Sequence, residues 1–368
     1  MVKANHYLRK GMFMRRVTAY IGTMLGAALI VSPVAATAQS EPAPPEVAGL
    51  VVYASDYDVP ETVERVEDAL GEAGMVTLTL DHQANAESVG ATLRPTTVVI
   101  GGAPPVGTPL LLQAQEVGID LPQKFLSWED EAGQVWLAHN SGEYLAVQSG
   151  IDPESPAVTG LDQAVGGLAV QASGATEPAT RGAEVTAYPQ YRLEQSSNAS
   201  VPKSIGRYQD AFADAGLKEL PVVDHQAGAE SIGETLRPTQ VTFAGNPKAG
   251  TPFMAAQQTM GIDLPTRFYA RESSDGTVTV GHVNIAALAQ RHSVTGVEEP
   301  LAMVTKATAA FTTAAAGEIT MPEGGVDTGA GGTAESSNTG AIGLGLMAVL
   351  GASVLAVAFW RMRSQTST

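Results

Sequence analysis

Residues 81–122 read DHQANAESVGATLRPTTVVIGGAPPVGTPLLLQAQEVGIDLP, and residues 224–265 read DHQAGAESIGETLRPTQVTFAGNPKAGTPFMAAQQTMGIDLP. The two stretches align without a gap at an offset of 143 residues. A chain with this property folds as two copies of one module, and each copy is read against the other. The repeat extends beyond these stretches. Residues 60–73 and 202–215 match at an offset of 142, and one inserted residue before 219–223 restores the offset of 143.

Local patterns divide the chain. Residues 1–38 carry five basic and no acidic side chains, an apolar run from Val17 to Val34, and the small residues Ala36-Thr37-Ala38. They read as a cleavable signal peptide. Residues 39–49 form a Pro- and Glu-rich linker, 50–172 the first module, 173–184 a second linker and 185–315 the second module. Residues 316–340, rich in Gly, Thr and Ser, read as a flexible tether. Residues 341–360 contain no charge or amide and are expected to cross a membrane. Arg361 and Arg363 then place the tail 361–368 in the cytoplasm and both modules outside. The sequence thus predicts a single-pass membrane protein with extracytoplasmic modules.

Within the first module, 50–53, 75–80 and 96–100 read as strands, and 61–71 as a helix with Val63, Val66, Ala69 and Leu70 on one face. A helix is expected over 109–117, a hairpin around 129–133 and a closing helix over 157–172. The equivalent helix of the second module is expected to start near Pro252, and 301–315 closes that module.

Composition excludes some chemistry. The chain has no cysteine, so no disulfide, thiol nucleophile or thiolate metal site exists. Its formal charge is −17, and without the first 38 residues 16 basic side chains face 38 acidic ones. Such a surface repels phosphate backbones, which argues against nucleic-acid binding.

Three sets of residues carry candidate chemistry. Asp81-His82 and Asp224-His225 each end a strand beside a turn, and either histidine could act as a base or as a metal or haem ligand. The alternative is that the aspartate caps the following segment. His139 and His282 recur at the same offset at the end of a later strand. If those strands are neighbours, His225 and His282 could converge as a partial metal site, with Glu230, or Glu87 in the first copy, as a third ligand. Asn246-Pro247-Lys248-Ala249-Gly250-Thr251 is a Gly-rich turn whose free N–H groups and Lys248 could hold a small anion. The alternative is a loop with Asn246 bonding its own backbone and Thr251 as the helix cap. The turn lacks P-loop spacing, so nucleotide binding is not indicated. Arg94 and Arg237 recur in the Leu-Arg-Pro turn and either pair internally or reach a ligand. No serine-hydrolase elbow occurs in both copies.

Asp224-His225, Gly233, Leu236-Arg-Pro238, the stretch Phe243 to Pro252, Gly261 to Pro265 and Leu288-Ala-Gln-Arg291-His292 together resemble the DUF302 family. The resemblance covers both modules and neither terminus. It implies an α+β fold, two tandem domains each with an antiparallel sheet and packed helices, followed here by the C-terminal transmembrane helix. Some relatives dimerise, so the twin modules are expected to pack as an intramolecular pseudo-dimer. The family implies no settled biochemical function. The first copy departs from its pattern, with Gly101-Gly102-Ala103-Pro104-Pro105 in place of the asparagine–proline–lysine turn. Any anion chemistry is therefore expected mainly in the second module.

The leading expectation is a membrane-tethered binding or scaffold protein taking a small anion or a protein partner. The rivals are a metal- or haem-binding protein or enzyme built on the histidines, and a surface structural protein. No cofactor is named by the sequence.

Overall fold

A computed structural model of the chain describes residues 43–317. Short polar signals start its helices. Asp58 caps α1 (Val59–Ala73) by accepting from the Glu61 N–H, and Pro60 occupies the first turn, where no N–H is needed. Val59, Thr62, Val66, Ala69 and Leu70 line its buried face at helical spacing.

Around α1 the first module contains β1 (Leu50–Ala54), β2 (Met75–Asp81), α2 (His82–Ser88), β3 (Thr96–Gly102) and α3 (Pro104–Leu111). A 3-10 turn at Gln115–Asp120, β4 (Gln123–Glu129), β5 (Val135–Asn140), α4 (Gly142–Ser149) and α5 (Pro156–Ser173) complete it. The second module repeats the order. It has β6 (Arg192–Ser197), α6 (Val201–Asp214), β7 (Val222–Asp224), α7 (His225–Ser231), β8 (Thr239–Ala244) and α8 (Pro247–Ala256). A 3-10 turn at Gln258–Asp263, β9 (Thr266–Glu272), β10 (Val278–Val283), α9 (Ile285–Arg291) and α10 (Glu298–Ala316) follow.

Each module holds one antiparallel five-stranded sheet, in the order β1-β5-β4-β3-β2 and β6-β10-β9-β8-β7. Helices α1 and α5 cover one face of the first sheet, and α6 and α10 the matching face of the second. The other face is also covered. The 3-10 turn of each module lies on the strands of its partner, Gln115–Asp120 on β8 and β9, and Gln258–Asp263 on β3 and β4. This is why β3 and β4 are buried almost throughout rather than alternating in burial. The segment after α5 is pinned, with Thr180 bridging to Val52 on the outer edge of β1. Gly182 there has φ +73°, and a Cβ would run into the Val47 carbonyl, so only glycine fits.

Several expectations are corrected. Helix α3 begins at Pro104 rather than Pro109, because Pro104 and Pro105 suit a first turn. Helix α8 begins at Pro247 rather than near Pro252, because Asn246 is its cap. Strand β7 has three residues, not the five of 219–223.

The membrane placement is corrected as well. Among the described residues no helix is long and apolar enough to cross a membrane. The longest, α10, carries Glu298, Glu299, Lys306 and several threonines. The signal peptide 1–38, the start of the first linker, the tether from 318 on, the transmembrane helix 341–360 and the tail lie outside the described residues. Within the described residues the fold supported is two α+β domains, and the membrane-anchored, extracytoplasmic placement is not carried further.

Candidate functional site

The contacts between the modules come in reciprocal pairs at the offset of the repeat. The ring Nε2–H of His82 donates to the Gly261 carbonyl at 3.0 Å, and that of His225 donates to the Gly118 carbonyl at 2.9 Å. The Gln258 amide donates to Thr96 Oγ1 at 2.7 Å, and the Gln115 amide to Thr239 Oγ1 at 2.7 Å. Arg94 donates to the side-chain Oε1 of Gln258, and Arg237 to that of Gln115. Gly118 and Gly261 allow this approach. A Cβ on Gly261 would lie 2.9 Å from Leu126 and 3.2 Å from the His82 ring. One on Gly118 would lie 3.2 Å from His225.

The Asp-His pairs therefore divide their work. Asp81 caps α2 through the Ala84 N–H at 2.9 Å, and Asp224 caps α7 through the Ala227 N–H at 3.0 Å. The histidines reach the other module. Burial pushes His82 down to about 4, against the opposing effects of the Gly261 hydrogen bond and Asp81, and burial lowers His225 likewise.

His139 and His282 lie on the opposite, helix-covered face of their sheets. His139 sits beside Tyr53 and Phe125 and donates from Nδ1 to the Asn140 carbonyl. His282 sits beside Phe268, with Nδ1 bonded to Thr312 Oγ1 at 2.7 Å. Burial lowers both to about 4. The expected convergence of His225 with His282 is thus corrected, since the sheet separates them. Among the described residues no cluster of three His, Cys, Asp or Glu could hold a metal ion, so the metal or haem reading falls.

The anion nest is also closed. Asn246 Oδ1 accepts from the Lys248 N–H at 2.9 Å, and the Ala249 and Gly250 N–H groups donate to the Asn246 carbonyl. These groups form the first turn of α8. Thr251 does not cap the helix but donates back to the Pro247 carbonyl. The Lys248 side chain is exposed.

A charged cluster that sequence reasoning missed lies buried between the modules. Asp120 receives Tyr191 Oη at 2.8 Å and Arg267 at 3.1 Å, with Lys124 Nζ at 3.8 Å. Asp263 receives Arg267 at 3.0 Å, and Arg291 and His292 at 2.9 Å each. Against a burial that would raise it, Arg291, Arg267 and His292 hold the Asp263 carboxyl well below the usual carboxylate range. Burial, reinforced by Arg267, lowers Lys124 to about 7, with Asp120 and Asp263 opposing. The available signal was the recurrence of Asp120 and Gln115 as Asp263 and Gln258 inside the repeat, together with Arg291-His292 after it.

Two cavities, of about 350 and about 290 Å³, occupy equivalent places. The first lies among α1, the end of β3, α3 and α5, and is closed by Val223, Asp224, His225 and Gly228 of the second module. The second lies among the end of α6, the end of β8, α8 and α10, and is closed by Leu80, His82 and Asn85 of the first. The walls are mainly apolar, and neither cavity is complete without both modules.

The domain of unknown function DUF302 matches twice, at residues 51–165 and 193–311. The chain is 42% identical over 99 residues to the protein named fluoride-specific ion channel FluC 1 of Brucella suis biovar 1 (strain 1330), covering 27% of this chain and 39% of that protein. The like-named protein of Brucella abortus biovar 1 (strain 9-941) matches at the same identity over 37% of its length. The chain thus spans well under half the length of these curated relatives. A crystal structure of an uncharacterized conserved protein DUF302 from Bacillus stearothermophilus matches with a TM-score of 0.32 and 16% identity, covering 34% of this chain and 97% of that one.

Proposed function

The chain belongs to the DUF302 family, and from that premise we propose that it is a small-molecule binding protein whose two modules, 50–172 and 185–315, act as a pseudo-dimer. Each module supplies the walls of one pocket and the closing wall of the other. The observation that carries this is the reciprocal closure: Leu80, His82 and Asn85 close one cavity, and their counterparts Val223, His225 and Gly228 close the other. An apolar cavity of this size, built where two domains meet, is a usual place for a ligand. His82 and His225 serve as rigid neutral wall posts, because their rings are buried and already bonded across the interface. Arg94 and Arg237 lock the same interface. Asn246 shapes the second pocket by starting α8, while Lys248 stands outside its wall.

Gly107 and Gly250 are equivalent wall positions, and at each an added Cβ would meet only one atom, a leucine methyl at 3.5 Å. There is room for a longer side chain there. Calorimetric titration of the full chain with octanol should show two bound equivalents. Gly107→Leu should remove one, Gly250→Leu the other, and the double variant both. Binding that survives in the double variant, or no binding to the wild-type chain, would refute the pocket reading.

A further inference from the structure

The two pockets are equivalent in place but not in charge. Position 75 on the wall of the first pocket is a methionine, 61% exposed at its mouth. The matching position of the second pocket is Leu217, and next to it on the same wall, at the residue inserted in this copy, stands Lys218, which is exposed. Lys218 takes part in none of the ion pairs among the described residues. Among the described residues no other charged side chain lines the second pocket. The first pocket has the opposite sign: among the described residues its one charged wall residue is Asp224, and Asp81, the counterpart, is absent from the wall of the second. Behind Lys218 the second pocket is apolar and aromatic, with Phe253, Phe268 and Phe311 in its wall.

We infer that the second pocket takes an amphipathic monoanion of the medium-chain carboxylate type, with its alkyl tail among the three phenylalanines and its carboxylate at Lys218, whereas the first pocket takes a neutral apolar molecule. This deepens the pocket reading and rests on it. In a chain of net charge −17 an anion meets general repulsion, so an unpaired lysine at one mouth sets a local preference. The same anion is disfavoured at the first pocket, where Asp224 is the charged group. The tail supplies the affinity through apolar burial, and the ion pair at an exposed lysine supplies selectivity.

The test uses the full chain and three probes, octanoate, octanol and acetate, read by calorimetry. Octanoate should bind with one equivalent and octanol with two, and acetate should not bind. Lys218→Met, which removes the charge from this mouth, should lower the ratio of octanoate to octanol affinity about fivefold, the size of one exposed ion pair. Met75→Lys should create a second octanoate equivalent. Both side chains are exposed, so both variants keep the buried core. An octanoate preference unchanged in Lys218→Met, with octanol still binding twice, would overturn the charge assignment and leave the pockets standing. Acetate binding as well as octanoate would overturn the amphipathic assignment. Failure of octanol and octanoate alike would overturn the pocket reading and this inference with it.

Discussion

The two modules share their backbone plan and their contacts with one another, yet the second carries most of the buried positive charge. Its Asp263 is held by Arg267, Arg291 and His292. In the first module the residues at the positions of Arg291 and His292 are Gln148 and Ser149, which donate to no carboxylate, and the Arg267 position is Lys124. Lys124 Nζ has no hydrogen-bond partner and lies 3.8 Å from Asp120. Arg267 spans both aspartates. A guanidinium can satisfy two carboxylates with planar donors and is weakly hydrated, whereas a buried ammonium with a single distant partner drifts toward neutrality. The reciprocal hydrogen bonds of histidine, glutamine and arginine match between the copies, while the buried charge is one-sided.

The sharpest way to break this comparison is to remove each aspartate. Asp263→Ala should destabilise the chain by about 3–5 kcal/mol, because it leaves Arg291 and His292 buried without their carboxylate. Asp120→Ala should cost clearly less, since Arg267 keeps Asp263 and Lys124, lowered to about 7, can shed its proton. Urea unfolding of both variants measures the difference, and equal losses would mean that the cluster is symmetric in energy though not in composition.

Acid should expose a likeness instead. His82, His139 and His282 have folded values of about 4 against an ordinary 6.5, and His225 is lowered too. A group of this kind contributes stability that is complete above pH 6.5 and is lost as pH falls through about 4. The expected cost is on the order of 3 kcal/mol each for the fully buried His82 and His139, seen as a falling urea midpoint between those limits. His82→Gln should remove its share of that slope, and His225→Gln should flatten it in the same direction.

A smaller effect tests the interface itself. Gly118→Ala and Gly261→Ala put a methyl group against the partner module and should each cost about 1–3 kcal/mol, with Gly261→Ala the costlier because its Leu126 contact is the closer. Thermal unfolding should show one cooperative transition in both. The smallest effect is expected from the arginines of the Leu-Arg-Pro turns. Arg94→Ala should cost less than about 1 kcal/mol, as its Glu131 pair is exposed. Arg237→Ala should cost somewhat more, since it bonds Gln115 through two of its nitrogens.

Much of the fold was legible because it depends on short-range signals. The repeat, the proline starts of α1 and α6, the β-branched run of β3 and the closing helices all stand in the sequence. So did the capping role of Asp81 and Asp224, as one of two alternatives. The starts of α3 and α8 were misjudged because their prolines occur both in the first turn and five residues later, and only the first is a start signal. The metal pair was misjudged because a strand register does not say which face of the sheet a turn residue such as His225 will address.

The sequence by itself determined that this chain is two copies of one module without cysteine chemistry, because duplication is a property of the order of residues, and the α+β class followed from the resemblance its motifs carry. Only the tertiary structure decided what the repeated polar residues do. His82 and Gly261 are 179 positions apart, and Asp120 and Arg267 are 147 apart. Nothing local announces such pairs, because they meet only when two covered sheets turn their remaining faces toward each other. The pockets arise the same way, as space left where each module's Asp-His helix closes over the other.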